Sequence, residues 1–306
     1  MRLPDGVLGM AERGPYWAHW VDDLPRLVDG FLDEWELRTD GWMMHGYCAL
    51  VVPVVTSAGD RAVLKVSFPD EETEHEHLAL THWNGEGAVR LLRAAPRRRA
   101  MLLERLRDVS LADAWDIEAC TVVGELYGRL HIPAPPQLRT LSSYVGAQLA
   151  LLRELPRGAP LPRRLVQQAL SLATDLVADP ATDGTLLHTD LHYENVLSAD
   201  RAAWLVIDPK PLSGDPHYEL APMLWNRFDE LQRAPGGASV RDALRRRFHT
   251  LIDVAGLDEG RARDWVVVRM VLNAASHVRA SSAVRNLDPD EHWLTICVTI
   301  AKAVQD

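Results

Sequence analysis

The segment that most constrains the fold is His188-Thr-Asp-Leu-His-Tyr-Glu-Asn195, a polar run bounded by two short apolar segments. These segments are Thr185-Leu-Leu-His188 and Trp204-Leu-Val-Ile-Asp208, and a polar turn at residues 198–201 precedes the second of them. Asn195 follows Asp190 by five residues, and Asp208 follows Asn195 by thirteen. Apolar segments this short are typical of strands, so the polar run is predicted to be a loop between two strands.

The side chains in this pattern match the requirements of phosphoryl transfer. That reaction needs ligands for Mg²⁺, a cation on the phosphates, and a carboxylate that orients and deprotonates the attacking hydroxyl. Asn195 and Asp208 supply the oxygen donors that Mg²⁺ prefers, which leaves Asp190 to meet the hydroxyl. The spacing therefore predicts a phosphoryl-transfer site.

The chain before the motif has the pattern of an antiparallel sheet. Strands are predicted at residues 36–38, 47–55, 61–68, 88–92 and 100–104, and the turn Ser57-Ala-Gly-Asp60 joins the second to the third. Lys65 lies inside an apolar strand, where an unpaired ammonium would be costly. Glu76 shares a predicted helix face with Leu80 and Trp83, so we expect Glu76 to pair with Lys65.

Length and pattern together divide the chain into two predicted parts. A chain of 306 residues exceeds the usual size of a single core, and the composition becomes polar near residues 104–108. We therefore predict a nucleotide-binding lobe at residues 1–106, in which Pro25 starts a second N-terminal helix, and a mainly helical lobe at residues 107–306. A glycine-rich loop at residues 234–238 is predicted between two helices of the second lobe.

Charge and composition narrow the classes of partner. The chain has 33 Lys+Arg and 43 Asp+Glu, for a net charge of −10, which disfavours nucleic acid and suits a cationic small molecule. The arginine runs 97–99 and 245–247 are interpreted as solvated faces. No apolar run reaches the ~18 residues of a membrane span, and three separated cysteines indicate a reducing compartment. We expect a cytoplasmic monomer or homodimer that binds neither nucleic acid nor membrane.

Several segments of the sequence resemble those of one known family. The motif at 188–195 is followed by Ile207-Asp-Pro-Lys-Pro and Gly214-Asp-Pro-His-Tyr-Glu-Leu, and residues 62–65, 83–92 and 101–106 agree as well. Together they resemble the aminoglycoside phosphotransferases, most closely the streptomycin 6-phosphotransferase and hydroxyurea phosphotransferase branch, over about residues 35–280. The resemblance implies an α+β, bilobal protein-kinase-like fold: an antiparallel β-sheet lobe with one key helix, and a larger, mainly helical C-terminal lobe.

The resemblance also implies a role for each matching residue, with ATP or another NTP and Mg²⁺ as cofactors. Asp190 would be the catalytic base, and Asn195 and Asp208 would bind Mg²⁺. The ATP contacts would be Lys65 with its partner Glu76, backbone groups near Glu104, and a phosphate-covering turn at Gly46. His188 and His192 are interpreted as supports of the catalytic loop.

The acceptor implied by the resemblance is a small hydroxylated molecule, most simply a streptomycin-type aminoglycoside in an antibiotic-resistance reaction. A cationic acceptor requires carboxylates, and the candidates are Glu219, Asp229 and Glu230, with Trp225 and Asn226 as walls. Hydroxyurea and other hydroxylated metabolites remain alternatives.

Two different classes of function compete with this interpretation. His188, Asp190 and His192 alternate along the chain and could bind a metal for hydrolysis. A non-catalytic kinase-like binding module is the other alternative. Such a module typically lacks the base, a metal ligand or the lysine, and this sequence contains all of them.

Overall fold

The computed structural model describes residues 2–232, 239–283 and 290–305, so the predicted loop at 234–238 lies outside the described residues. The chain forms two compact units, Met1–Asp108 with Ser198–Ile207, and Val109–Leu197 with Asp208–Asp306. The sequence division had left the segment Ser198–Ile207 with the helical part. The structure places it in the first unit, where the Arg201 guanidinium binds the Glu104 carboxylate and the carbonyl oxygens of Gly85 and Ala88.

An antiparallel sheet is the framework of the first unit. Within residues 38–104, all of them described, six strands pair in the order β1-β3-β4-β6-β5, and β2 pairs with β3. Their bounds are β1 Arg38–Thr39, β2 Met44–His45, β3 Ala49–Val55, β4 Arg61–Ser67, β5 Leu91–Ala95 and β6 Ala100–Glu104. The strand predicted at 88–92 is shifted in the structure, because Ala88 instead bridges to Val206 and a bulge lies between Leu91 and Arg93.

A long helix covers one face of this sheet. Helix α1 is Asp5–Gly9, a 3-10 turn follows at Met10–Arg13, and α2 is Pro15–Glu34. The prediction that Pro25 starts a second helix is wrong, because α2 continues through it. The cost of the missing backbone donor is offset by burial, since Leu24 and Val28 near Pro25 lie in the core formed with the sheet.

Alternation along β4 separates the core from the charged face. Ala62, Leu64 and Val66 join the core under α2. Because successive side chains of a strand point to opposite faces, Lys65 lies on the other side of the sheet. Helix α3, Glu76–Trp83, buries Glu76, Leu80 and Trp83 together, which confirms the predicted helix face.

The second unit is mainly helical. Its helices are α4 Asp116–Leu130, α5 Leu141–Arg153, α6 Arg163–Ala178, α7 Ala221–Trp225, α8 Phe228–Gln232, α9 Val240–Ala255, α10 Glu259–Ala283 and α11 Glu291–Ala303. Short 3-10 turns lie at Leu111–Asp113, Pro180–Thr182, Tyr193–Asn195 and Pro216–Leu220. No helix in the described part of the chain combines the length and apolarity that a bilayer crossing requires.

Short strands interrupt the helices and carry the motif. These are β7 Thr185–Leu187, β8 Val196–Leu197, β9 Leu205–Val206, which belongs to the first unit, and β10 Leu212–Gly214. Strands β7 and β10 are antiparallel, with Leu187 opposite Leu212. The predicted loop at 188–195 therefore begins at the end of a strand that is fixed on one edge by β10.

Candidate active site

The loop that follows β7 is fixed at Thr189. This residue has a left-handed backbone, with φ of 59°, although β-branched residues rarely adopt that conformation. Its N–H donates to Glu219 Oε1 at 2.9 Å, its carbonyl accepts from the Arg269 guanidinium, and its hydroxyl donates to Lys210 O at 2.6 Å. Contacts on all three polar groups hold the strained conformation in place.

Asp190 and Asn195 are brought together within this loop. Asn195 Nδ2 donates to the Asp190 carbonyl oxygen at 2.8 Å. This contact directs the amide nitrogen at the loop backbone and leaves Oδ1 as the side-chain oxygen that can bind a cation. The five-residue spacing therefore closes a compact turn between the two residues.

The two histidines of the motif contact the backbone and side chains of the same loop. His188 is buried, and its Nδ1 accepts the Asp190 N–H at 3.3 Å. His192 lies with Nε2 3.2 Å from Asn195 Nδ2 and with Nδ1 3.4 Å from the Glu194 nitrogen. Burial lowers the pKa of His192, which favours its neutral form. Within the described residues, no three His, Cys, Asp or Glu side chains converge as a metal site, so the alternating triplet does not form one there.

Lys210 is a residue of this site that the sequence analysis missed. Its Nζ lies 2.8 Å from Asp190 Oδ2, and both side chains are only partly exposed. The signal for it was present, because the chain contains 30 arginines but only three lysines, Lys65, Lys210 and Lys302. Two of the three lysines pair with a carboxylate of the predicted site, Lys65 with Glu76 and Lys210 with Asp190.

Asp208, two residues before Lys210, also has a left-handed backbone, with φ of 59°. Pro209 follows it, and a residue before proline is sterically excluded from much of the right-handed helical region. The chain therefore turns sharply at the second predicted metal ligand.

Lys65 and Glu76 form the predicted ion pair in the first unit. Lys65 Nζ lies 2.6 Å from Glu76 Oε1, and the two side chains are 7% and 1% exposed. Strand β4 supplies the lysine and the first turn of α3 supplies the glutamate. A buried pair of this kind fixes the ammonium on one face of the sheet.

The other two predicted nucleotide contacts are less direct. Glu104 already uses its N–H to bind Arg90 O at 3.0 Å, and its carboxylate binds Arg201. Its side chain thus anchors the segment 198–207 to the sheet. Gly46 donates its N–H to Ala49 O at 3.0 Å and closes the turn between β2 and β3.

The structure does not support the prediction that the Glu219 carboxylate binds the acceptor. Glu219 is completely buried and binds the Thr189 N–H, so its carboxylate is not presented to a molecule at the surface. Burial raises the pKa of Glu219 to about 7, although the N–H of Thr189 and the charge of Arg269 oppose that rise. Glu219 therefore stabilises the catalytic loop through its contact with Thr189.

The remaining acceptor candidates are more accessible. Asp229 is exposed and lies 3.1 Å from His292 Nε2, while Glu230 pairs with Arg227 at 2.6 Å. Trp225 is partly exposed and packs edge-on against Trp293. Asn226 caps the end of α7 by donating from Nδ2 to Pro222 O at 3.0 Å.

The sequence analysis also missed a buried hydrogen-bond network that contacts Tyr193 of the catalytic loop. The Tyr193 hydroxyl donates to Asp116 Oδ1 at 2.7 Å, and Arg247 Nε donates to Asp116 Oδ2 at 3.0 Å. Arg247 is fully buried and also donates to Asn226 O at 2.7 Å. The prediction that residues 245–247 form a solvated face is therefore wrong for Arg247, because Asp116 and backbone carbonyls satisfy its guanidinium.

The fold agrees with solved structures of small-molecule kinases. A crystal structure of spectinomycin phosphotransferase in complex with ADP and spectinomycin aligns over 92% of this chain and 98% of that one, with a TM-score of 0.60 at 13% identity. A likeness at this identity shows the fold. The antiparallel sheet of the first unit and the mainly helical second unit are those of a protein-kinase-like fold.

Comparison of sequences identifies the branch. The model of the aminoglycoside/hydroxyurea antibiotic resistance kinases matches residues 34–281, so the chain belongs to that family. Streptomycin 6-kinase from Streptomyces glaucescens is 43% identical over 297 residues, covering 94% of this chain and 91% of that protein. Hydroxyurea phosphotransferase from Kitasatospora aureofaciens is 42% identical over 267 residues, covering 85% and 75% of the two chains.

Proposed function

We propose that this protein is an ATP- and Mg²⁺-dependent O-phosphotransferase that phosphorylates a hydroxyl of a streptomycin-type aminoglycoside. The observation that carries this proposal is the 43% identity to a streptomycin 6-kinase over 94% of the chain. The geometry of the catalytic loop supports the type of reaction, and the identity supports the type of acceptor.

Asp190 is the proposed base in the second unit. Its carboxylate is partly exposed, so an acceptor hydroxyl can reach it, while its backbone is bound by Asn195 and His188. The carboxylate orients the hydroxyl and accepts its proton as the phosphoryl group transfers. A fixed backbone reduces the motion that would otherwise misalign the two reacting groups.

Asn195 and Asp208 are the proposed ligands of Mg²⁺. The contact from Asn195 Nδ2 to the Asp190 carbonyl leaves Oδ1 as a hard oxygen donor, and Asp208 adds a carboxylate, so this donor set fits Mg²⁺. When bound, Mg²⁺ neutralises charge on the phosphates.

Lys65 is the proposed contact to the nucleotide phosphates in the first unit. Its pairing with Glu76 holds the ammonium in a fixed position, which is what a phosphate contact requires. The spectinomycin phosphotransferase structure contains ADP, which supports ATP as the donor here, although another NTP would meet the same lysine. Backbone groups near Glu104 and Gly46 remain the proposed contacts to adenine and to the phosphates.

The acceptor contacts are proposed among the exposed acidic groups near α8. Asp229 and Glu230 are available to ammonium or guanidinium groups once they exchange their present partners, His292 and Arg227. Hydroxyurea is the second candidate acceptor, because a hydroxyurea phosphotransferase is nearly as similar, at 42% identity. Hydroxyurea is uncharged and needs no carboxylate pair, so the two acceptors make different demands on Asp229 and Glu230.

The test is an acceptor panel with Mg-ATP. Purified protein is mixed with streptomycin, hydroxyurea or no acceptor, and ADP release is followed together with the mass of the product. We expect acceptor-dependent ADP release with streptomycin. Release only with hydroxyurea would transfer the proposal to that acceptor, and equal release in all three mixtures would contradict a small-molecule acceptor from this panel.

Replacement of Asp190 tests the chemistry independently of the acceptor. We expect Asp190→Asn to lower kcat by about 100-fold or more while ATP binding persists, because the amide cannot accept the proton. The matched control is Asp253→Asn, an exposed position on α9, which should turn over normally. Unchanged kcat in Asp190→Asn would show that this carboxylate is not the base.

A further inference from the structure

We propose that Lys210 is a positioning residue for Asp190, whose ammonium holds one carboxylate oxygen and leaves the other to meet the acceptor hydroxyl. This inference rests on the proposed function, in which Asp190 accepts the hydroxyl proton. It adds a cation to the catalytic apparatus that the spacing of Asp190, Asn195 and Asp208 does not include.

The backbone of Lys210 is tied to the catalytic loop on both sides. Its N–H donates to His188 O at 2.9 Å, and its carbonyl accepts the Thr189 hydroxyl at 2.6 Å. Pro209 and Pro211 flank it, and each proline fixes its own φ while restricting the residue before it. The Lys210 side chain therefore starts from a rigid point beside Asp190.

The side chain completes this arrangement. Lys210 Nζ lies 2.8 Å from Asp190 Oδ2, at exposures of 27% and 20%. An ammonium at this distance makes a charge-assisted hydrogen bond to the carboxylate. Because the contact is made with Oδ2, the pair leaves Oδ1 as the oxygen that faces an incoming hydroxyl.

The choice of lysine over arginine supports the same role. Arginine outnumbers lysine by 30 to 3 in this chain, so a lysine beside the base departs from the prevailing composition. A guanidinium binds a carboxylate with two parallel hydrogen bonds and occupies both oxygens, whereas an ammonium is a compact point charge. An ammonium therefore pairs with one oxygen of Asp190 and leaves the other for the acceptor.

The test compares Lys210→Met and Lys210→Arg with the wild type and with the matched control Lys302→Met, an exposed position on α11. The measurements are kcat, both KM values and Tm. For Lys210→Met we expect kcat to fall about 10- to 100-fold with both KM values within about threefold. Its Tm should stay close to that of the wild type, because a partly exposed ion pair contributes little to stability.

Lys210→Arg keeps the positive charge, so its Tm should match that of the wild type. Its kcat should nevertheless remain below that of the wild type, because the guanidinium occupies both carboxylate oxygens. This variant also covers the case in which Lys210→Met folds poorly, since the charge and most of the side-chain volume are retained. Lys302→Met should match the wild type in every measurement.

Wild-type kcat in Lys210→Met would overturn the inference. A lowered kcat with both KM values raised beyond about threefold would overturn it as well, since that result indicates a general loss of site structure. The Asp190→Asn variant separates this failure from that of the proposed function. If Asp190→Asn is inactive and Lys210→Met behaves normally, only the role of Lys210 is lost. If Asp190→Asn remains active, the proposed base itself is wrong.

Discussion

Two residues at the candidate site adopt a left-handed backbone that side-chain sterics disfavour. Thr189 and Asp208 both have φ of 59°, and strain of this kind costs of order 1–3 kcal/mol for each residue. Thr189 is held there by Glu219 and Arg269, which bind its N–H and its carbonyl. The structure thus uses buried charged groups to fix the residue that precedes Asp190.

Glu219 provides the test of this support. We expect Glu219→Ala to lower the free energy of unfolding by about 1–3 kcal/mol and to reduce kcat, because the buried Thr189 N–H loses its acceptor. Glu219→Gln keeps an oxygen at that position and should remain close to the wild type in kcat. Denaturant titration and steady-state kinetics measure both effects.

The same two variants distinguish loop support from acceptor binding. Because Glu219 is completely buried, neither variant should change KM for the acceptor by more than about twofold. A higher KM for the acceptor in Glu219→Gln, with kcat preserved, would instead show that Glu219 binds the acceptor. The exposed Asp229 is the natural comparison, since a cationic acceptor that binds there should show a higher KM in Asp229→Asn.

At the scale of elements, the sequence predicted those features that depend on local pattern. The Lys65–Glu76 pair follows from a lysine in an apolar strand and from helical spacing, and both β4 and α3 are present. Features decided by tertiary contacts were not predictable in this way. Pro25 lies inside α2 because core packing outweighs a lost hydrogen bond, and β5 is shifted because Ala88 bridges to Val206.

The candidate site likewise contains residues that sequence spacing predicts and residues that only tertiary contacts reveal. Spacing was sufficient to select Asp190 and Asn195, which contact each other within one short loop. It could not identify Lys210, because this lysine follows Asp190 by twenty residues and lies just before β10, which pairs with β7. It also could not separate the buried Arg247 from its exposed neighbour Arg246, since α9 packing alone distinguishes them.

Arg247 gives the prediction at this scale. We expect Arg247→Met to lower the free energy of unfolding by about 3–5 kcal/mol, because it leaves the Asp116 carboxylate without its buried partner. Since Asp116 also accepts from Tyr193 in the catalytic loop, kcat should fall as well. The matched control is Arg246→Met, one residue earlier and exposed, which should unfold within about 0.5 kcal/mol of the wild type.

A larger loss in Arg246→Met than in Arg247→Met would contradict this account of α9. Replacing Asp116 and Arg247 together should restore part of the stability, because a buried pair replaced as a unit leaves no uncompensated charge. The double variant Asp116→Leu/Arg247→Met should therefore be more stable than the two single losses predict. Its kcat should stay low, since the loss of Asp116 removes the acceptor of the Tyr193 hydroxyl.

For the whole molecule, each unit has its own core and its own share of the titratable groups. The first unit buries α2 against the sheet, whereas the second packs its helices on one another, α4 on α9 and α10 on α6 and α11. Unfolding of such a chain need not be a single transition, so an effect of pH has to be assigned to the unit that contains the responsible group. His131, which follows α4 in the second unit, is a group that permits this assignment.

Burial lowers the pKa of His131 from 6.5 to about 4, and the nearby His217 lowers it further while Asp215 raises it. Its ring stacks on Tyr127 with centroids 5.0 Å apart. Above pH 6.5 the ring is neutral in both states and has no effect on the pH dependence of stability. Between pH 6.5 and about 4 only the unfolded state gains the proton, so the folded second unit loses stability as pH falls.

We therefore expect His131→Phe to reduce the loss of stability between pH 7 and pH 4.5. The phenyl ring keeps the stacking on Tyr127 but cannot bind a proton, and the difference between the two pH profiles should reach about 1–3 kcal/mol, allowing for the partial exposure of the ring. Fluorescence-monitored denaturation at a series of pH values measures it. His19→Gln, at an exposed position of the first unit, should leave the profile unchanged. Parallel pH profiles for the wild type and His131→Phe would mean that acid destabilises the second unit through its carboxylates. Asp215 would then be the next residue to replace. Its pKa is lowered in the folded protein, so its contribution to stability is lost as pH falls.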